Sequence, residues 1–165
     1  MKSTHYSFLV LFFGLLLPAA TSAQNGGLTL GGGFGTKVTS FGVQGGGFYH
    51  LREDIRVAGD VTYYTPNKKS QFLISTIEKK WFEFNANGQF GYIPEDHIFL
   101  YSLAGLNYSI AEEIDGNGSA NRGGIGVNLG GGLDIKSSII GFYGEVKYTL
   151  LRDQFAAFIG TRFYF

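Results

Sequence analysis

Residues 81–92 read WFEFNANGQFGY, and in this stretch polar and apolar side chains alternate. Successive side chains of a β-strand point to opposite faces, so a period of two predicts a two-faced strand. The polar side chains of one face are Glu83, Asn85, Asn87 and Gln89, and the apolar side chains of the other are Phe82, Phe84, Ala86, Phe90 and Tyr92.

The same alternation recurs along the chain and predicts eight strands. It is clear in residues 56–64, 125–136 and 142–150, and weaker in residues 28–35, 41–51, 98–110 and 155–165. Glycines occur throughout these segments, and each would cost about 1 kcal/mol in a helix interior, so we expect no helices. Because the number of antiparallel strands is even, the first strand begins and the last strand ends on the same side of the barrel.

The connectors predict two unlike ends. Residues 52–54, 94–97 and 137–138 are tight turns on the side of the termini. On the opposite side, residues 36–40 and 152–154 are short hairpins, whereas 66–80 and 112–124 are expected to form two long loops. These features predict an all-β, eight-stranded antiparallel up-and-down barrel.

Composition limits the function classes. The 165 residues include 26 Gly and no Cys, with 16% aromatic residues and 13 Lys+Arg against 13 Asp+Glu. This length fits one domain. Balanced charge argues against a nucleic-acid binder, and the absence of cysteine excludes disulfides, thiolate catalysis and cysteine-based zinc sites.

The first 23 residues have the features of a secretory signal peptide. Lys2 supplies a positive charge, residues 8–17 an apolar run, and Thr21-Ser22-Ala23 a small-residue cleavage site. A ten-residue run is shorter than the roughly 17 to 25 residues that a spanning helix needs. We therefore expect residues 1–23 to be a cleaved signal peptide and residues 24–165 to form the barrel domain.

Three features favour a barrel whose apolar face meets lipid. Aromatic residues recur at both ends of the apolar faces, as in the girdles of membrane barrels. The sequence also ends on the aromatic Phe165. Finally, the polar faces carry four charges of each sign, which could pair inside a barrel: Arg56, Asp60, Glu83, Asp134, Lys136, Glu145, Lys147 and Arg162.

The sequence resembles the small OmpA/OmpX-type outer-membrane β-barrels over the whole of residues 24–165. The resemblance rests on residues 48–56 (FYHLREDIR), 101–106 (YSLAGL) and 128–133 (NLGGGL), and on Phe165. It implies a Gram-negative outer-membrane location, contact with outer-membrane lipids and lipopolysaccharide, and a monomer. It also implies that Phe165 belongs to the signal read by the outer-membrane assembly machinery, and that the role is structural or one of surface interaction.

An eight-stranded barrel encloses a space that side chains just fill, so we expect a plugged lumen. Strands 3 and 7 lie opposite each other and should pair Arg56 and Asp60 with Glu145 and Lys147. Strands 4 and 8 should pair Glu83 with Arg162, and Asp134 belongs to the same network. Such a network is either a satisfied polar core or a gate, and a narrow channel is the alternative function.

The inward glycines are unevenly distributed. Those of strands 1 and 2 should face those of strand 6, so that either the walls approach closely or a water-filled cavity remains. The glycines concerned are Gly31, Gly33, Gly35, Gly42 and Gly46 on one side and Gly126, Gly130 and Gly132 on the other.

Candidate sites of chemistry are few. His50 and His97 both lie beside turns at the terminal side, so a lipid-modifying enzyme is disfavoured and no catalytic residue is predicted. Residues 115–121 lack the glycine and glutamate of a calcium loop, so no metal or cofactor is expected. A soluble periplasmic barrel that binds a small apolar ligand remains an alternative. Four lysines near the longest loop could contact lipopolysaccharide phosphates: Lys68, Lys69, Lys79 and Lys80.

Overall fold

A computed structural model of the chain describes residues 25–71, 75–95, 97–115 and 118–165. The expected signal peptide, residues 1–23, lies outside them. The described residues form eight strands: β1 (Gly26–Gly35), β2 (Ser40–His50), β3 (Ile55–Gln71), β4 (Ser75–Glu95), β5 (Ile98–Asp115), β6 (Gly118–Ser137), β7 (Ile140–Leu150) and β8 (Gln154–Tyr164).

The eight strands close into one barrel. Each strand pairs antiparallel with the next, and β8 returns to pair with β1 from Gly27↔Tyr164 to Gly35↔Ala156. The predicted eight-stranded up-and-down barrel is therefore confirmed. Because the barrel is closed, every strand has two neighbours, and the part of the barrel where all eight strands pair has no unpaired strand edge.

Within the described residues, no helix has both the length and the apolar character needed to cross a membrane.

The barrel has two unlike ends. At the terminal end, the backbone amide of Gly26 donates to the Phe165 carbonyl at 3.3 Å and that of Phe165 donates to the Gly26 carbonyl at 3.0 Å. The β2–β3, β4–β5 and β6–β7 turns lie at the same end. The opposite end, which we call the hairpin end, carries the β1–β2, β3–β4, β5–β6 and β7–β8 connections.

The prediction of two long loops at the hairpin end is wrong. Strand pairing instead continues to Gln71↔Ser75 in the β3–β4 hairpin and to Asp115↔Gly118 in the β5–β6 hairpin. Backbone hydrogen bonds hold these extensions together. Their sequences lack the regular alternation of polar and apolar residues from which the other strands were predicted.

The extensions form a four-stranded sheet that rises above the rest of the barrel. Pairing of β2 with β3 stops at Gly42↔Tyr64, and pairing of β6 with β7 starts at Val127↔Leu150. The described parts of residues 65–80 and 111–126 therefore extend past β2 and β7, and we call this sheet the wall. Its β3 border contains Pro66, where the register shifts between Tyr64 and Asn67, as expected for a residue without an amide hydrogen.

The outward face of the barrel is apolar on every strand. Between the two rims, the described outward positions contain no Asp, Glu, Lys or Arg, and the first outward charges of the wall are Lys80 and Glu112, which pair at 3.9 Å. Examples of exposed outward side chains, one from each strand, are Leu30, Val43, Val57, Phe84, Leu106, Leu129, Val146 and Ile159. The inside is polar, and this inverts the arrangement of a soluble barrel.

Large aromatic side chains fill the space above the inward glycines. A Cβ atom added to Gly132 would lie 2.4 Å from the hydroxyl of Tyr101, its partner on β5. The same relation joins Gly42 to Tyr64 and Gly33 to Phe158. The sequence left open a close approach of opposite strands or a water-filled cavity. Neither describes these positions, since rings from neighbouring strands occupy the space that the missing side chains leave.

Candidate functional site

The lumen contains a buried network of charged side chains, and its terminal-end part centres on Asp134. Arg56 of β3 donates from Nη1 to Asp134 Oδ2 at 2.5 Å, and Arg162 of β8 donates from Nη1 to the same oxygen. All three side chains are at most 3% exposed. One carboxylate of β6 therefore joins strands from both sides of the barrel.

A second carboxylate, Glu145 of β7, extends this cluster. Its Oε2 accepts from the Tyr101 hydroxyl at 2.9 Å and from Gln89 Nε2 at 3.2 Å, and lies 3.9 Å from Arg162 Nη2. Gln89 also accepts from Arg56 Nε at 2.5 Å. The charges are thus linked through neutral hydrogen-bonding groups as well as directly.

Aromatic rings surround both guanidinium groups. Arg56 lies 4.8 Å from the ring centroid of Phe48 and 4.7 Å from that of Phe99. Arg162 lies 4.6 Å from the ring of Tyr143 and 5.4 Å from the same Phe48. Cations are attracted to aromatic faces, and this packing leaves little room for solvent at the terminal end of the lumen.

Asparagines form the middle of the lumen. Asn85 Oδ1 accepts from Asn107 at 2.8 Å and from Asn128 at 2.9 Å, while Asn85 Nδ2 donates to Asp60 Oδ1 at 2.8 Å. Lys147 Nζ lies 3.6 Å from the same Asp60 oxygen, and the lysine side chain is fully buried. This layer links β3, β4, β5, β6 and β7.

The hairpin-end part of the lumen contains Glu83 of β4. Its Oε1 accepts from Trp81 Nε1 at 2.9 Å and from Gln154 Nε2 at 2.9 Å. Gln154 also donates to the Tyr64 hydroxyl at 3.2 Å. Tyr64 belongs to an apolar cluster with Tyr143, Ala156 and Phe158, against which Val38 and Trp81 pack.

The structure brings some of the expected pairs together and separates others. Lys147 and Asp60 meet from opposite strands as expected, but Arg56 pairs with Asp134 instead of Glu145. The expected Glu83–Arg162 ion pair is wrong: Glu83 accepts from Gln154 and Arg162 pairs with Asp134, at opposite ends of the lumen. Strand opposition alone overlooks the tilt of the strands, which shifts the height of opposed residues.

Sequence reasoning missed the neutral partners of these charges. Gln44, Asn107 and Gln154 are buried hydrogen-bonding residues that were not predicted as part of the network. Their inward positions in the period-two pattern were the available signal. The aromatic surroundings of Arg56 and Arg162 gave no such signal, because cross-strand register is needed to find them.

The remaining predicted residues lie at the two ends. Phe165 is partly exposed beside Gly26, His50 lies between the rings of Phe48 and Phe99, and His97 is exposed in the β4–β5 turn. The described residues include no group of three or more His, Asp or Glu arranged to hold a metal ion. Lys80 is the only one of the four candidate lysines whose side chain is described, and it pairs with Glu112.

Solved structures share this barrel. Ail, the attachment invasion locus protein of Yersinia pestis, matches with a TM-score of 0.63 and 16% identity over 87% of this chain and 100% of that chain. The N-terminal β-barrel domain of Pseudomonas aeruginosa OprF matches with a TM-score of 0.61 and 19% identity over 87% and 100%. Neisserial surface protein A, NspA, matches with 0.62 and 16% over 86% and 95%.

At these identities the likeness concerns the fold, and the fold is that of the eight-stranded outer-membrane barrels. No protein-family model matches the sequence, and no curated protein matches it.

Proposed function

We propose that the chain is an integral outer-membrane protein with a lumen closed by side chains and a role in structure or surface interaction. The observation that carries the location is the outward face, which has no Asp, Glu, Lys or Arg at any described position between the rims. A lysine or arginine at the middle of a lipid-facing barrel surface costs about 2 to 4 kcal/mol. A barrel folded in water has no reason to avoid charge there.

The inside supports a closed lumen. Three layers of buried side chains follow one another, centred on Asp134, on Asn85 and on Glu83. Each layer links several strands by hydrogen bonds or ion pairs. These layers support a lumen closed to general diffusion, so the narrow channel is the less favoured function.

The wall supports the surface-interaction role. Residues 118–126 of β6 pair with β5 but have no partner on their other side among the described residues. An unpaired strand edge can accept an extended segment of another protein as an added strand. The β3 border is less suited, because Pro66 and a register shift interrupt it. Ail is named for attachment and invasion, which agrees with such a role for a barrel of this shape.

The location is tested on cell fractions. We expect the protein in the outer-membrane fraction, where it should migrate faster on a denaturing gel without boiling than after boiling, because the closed barrel resists unfolding by detergent. A soluble protein that is extracted without detergent and shows no shift would contradict the proposal and favour the soluble barrel with an apolar ligand.

The surface role is tested with a reduced and alkylated, permanently unfolded protein as the probe. The double variant Ser119→Lys, Asn121→Lys should bind this probe more weakly than the wild-type barrel in lipid nanodiscs, because edge lysines hinder strand addition. The control variant Glu53→Gln, Asp54→Asn changes the charge by the same two units at the terminal end of the barrel, far from the wall, and should bind normally. Equal binding by all three proteins would contradict the role of the edge.

Three further proposals come from the resemblance. Residues 1–23 would be removed as a signal peptide, which mass spectrometry of the mature protein tests.

Phe165 would be read by the assembly machinery, so its deletion should lower the amount of heat-modifiable protein in the outer membrane. Lys68, Lys69, Lys79 and Lys80 would contact lipopolysaccharide phosphates, and their replacement by alanine should then remove any stabilisation that this lipid confers in reconstituted barrels.

A further inference from the structure

Glu83 is a buried carboxylate without an ion pair at the hairpin end of the lumen. Its side chain is 1% exposed, and its Oε2 has no hydrogen-bond partner. Both donors that reach the carboxylate, Trp81 and Gln154, bind Oε1. No lysine, arginine or histidine of the described chain lies within ion-pair distance of it. Lys147 and Arg152 interact with this carboxylate electrostatically from beyond ion-pair distance, and its Oε2 stays open to a cation that approaches more closely.

A second unpartnered acceptor belongs to the same cluster. Gln154 is 1% exposed and donates from Nε2 to Glu83 and to Tyr64, which leaves its Oε1 without a partner. The rings of Trp81 and Tyr64 reach these groups through hydrogen bonds, while Lys147 Nζ lies 5.1 Å from the ring centroid of the neighbouring Phe158. The cluster therefore combines a free carboxylate oxygen, a free amide oxygen and aromatic faces.

We propose that this cluster binds a primary ammonium group, with Glu83 Oε2 and Gln154 Oε1 as its acceptors. A primary ammonium carries one positive charge and three N–H donors, and aromatic faces attract cations. Calcium and magnesium require six or more oxygen ligands, which this cluster does not offer. The inference depends only on the barrel fold and holds whether or not the wall binds another protein.

Arg152 lies beside this site. Its guanidinium carbon is 5.5 Å from the Trp81 ring centroid, and its Nε has no hydrogen-bond partner. A Cβ atom on Gly124 would lie 2.3 Å from Arg152 Nη1, so this glycine makes room for the arginine. Arg152 thus extends from the β7–β8 turn over β6 to β4, where its positive charge opposes the binding of an ammonium group at Glu83.

Trp81 provides the measurement, because it is the only tryptophan of the chain and donates directly to Glu83. The refolded barrel is titrated with ethylammonium chloride at constant ionic strength, with sodium chloride as the reference salt. We expect a saturable change in tryptophan fluorescence with ethylammonium alone. Glu83→Gln should weaken the apparent affinity roughly tenfold or more, the loss expected for a charged hydrogen bond.

Two variants keep the result interpretable. Gln154→Met removes the second acceptor without changing charge and should also weaken binding, whereas Arg152→Ala should strengthen it. Glu112→Gln removes an exposed carboxylate outside the lumen and should bind as the wild type does. An equal response to sodium, no saturable response, or unchanged binding by both Glu83→Gln and Gln154→Met would overturn the proposal. Heat-modifiable migration shows separately that each variant is a folded barrel.

Discussion

Asp134 holds the terminal end of the lumen together, because Arg56 and Arg162 both donate to its Oδ2. The sequence identified all three residues as members of an inward network through their period-two positions. It did not identify their partners. Which charges meet depends on strand tilt, and tilt follows from the register of all eight strands, which no single segment contains.

The substitution Asp134→Asn should destabilise the barrel strongly. It leaves two buried guanidinium groups facing a neutral amide, and breaking a buried ion pair from one side costs about 3 to 5 kcal/mol. The measurement is urea unfolding of the barrel refolded in lipid vesicles.

The matched control is Asp54→Asn in the β2–β3 turn. Asp54 pairs with Arg52 at 3.3 Å, but both side chains are largely exposed, so the loss should be below about 1 kcal/mol. Equal, small losses in the two variants would show that the Asp134 cluster does not stabilise the lumen.

At the scale of the strands, glycine and aromatic residues pack as cross-strand partners inside the barrel. Gly27 lies opposite Phe48, Gly42 opposite Tyr64, and Gly132 opposite Tyr101. A shift of one residue would move each ring from the lumen to the outside. These pairs therefore help to fix the register of the strands, and they account for many of the inward glycines.

Adding one methyl group inside and one outside tests this packing. Gly132→Ala should destabilise the barrel by about 1 to 3 kcal/mol, because the new atom meets the Tyr101 ring and overpacking has this cost. Gly144→Ala adds the same atom on the outward face of β7, where nothing lies within 4 Å, and should be neutral or stabilising. Unfolding in urea compares the two, and an equal effect would contradict the role of the inward pair.

The strands also show where sequence reasoning ends. Alternation predicted the strands of the barrel below the wall, because one face of each strand there is polar and the other is apolar. It failed for residues 66–71, 75–80, 112–115 and 118–124, which were expected in loops but continue β3, β4, β5 and β6. Beyond the barrel, strand pairing depends on backbone hydrogen bonds and not on a pattern of apolar side chains.

For the whole molecule, the alternation and the even number of strands predicted the architecture correctly, while the contents of the lumen required the three-dimensional register. Strand count limits the width of the barrel, which favours the proposed lumen closed by side chains. The positions of Glu83, Gln154 and Arg152 at one end do not follow from it.

The proposed closed lumen predicts little conductance. In planar bilayers, the reconstituted protein should give no large, stable current steps. Glu145→Ala should leave the current unchanged, because the side-chain layers centred on Asn85 and Glu83 still close the lumen. A new open state in Glu145→Ala would instead identify this carboxylate as part of a gate and would favour the narrow channel.

A charge placed on the outward face should be poorly tolerated. Leu106→Arg lies in the barrel part of β5 and should cost about 2 to 4 kcal/mol in vesicles. Asn121→Arg, at an exposed position of the wall, should cost less than about 1 kcal/mol. Urea unfolding measures both, and equal costs would contradict a membrane that ends below the wall.

The most direct test of the account is spin labelling of single cysteines in reconstituted vesicles, which the cysteine-free sequence makes straightforward. Labels at the outward positions 106, 129 and 159 should be accessible to oxygen and shielded from a water-soluble nickel chelate. A label at Asn121 on the wall should show the opposite preference. If the labels at 106, 129 and 159 are as accessible to the chelate as the one at 121, the apolar face does not meet lipid and the central claim is wrong.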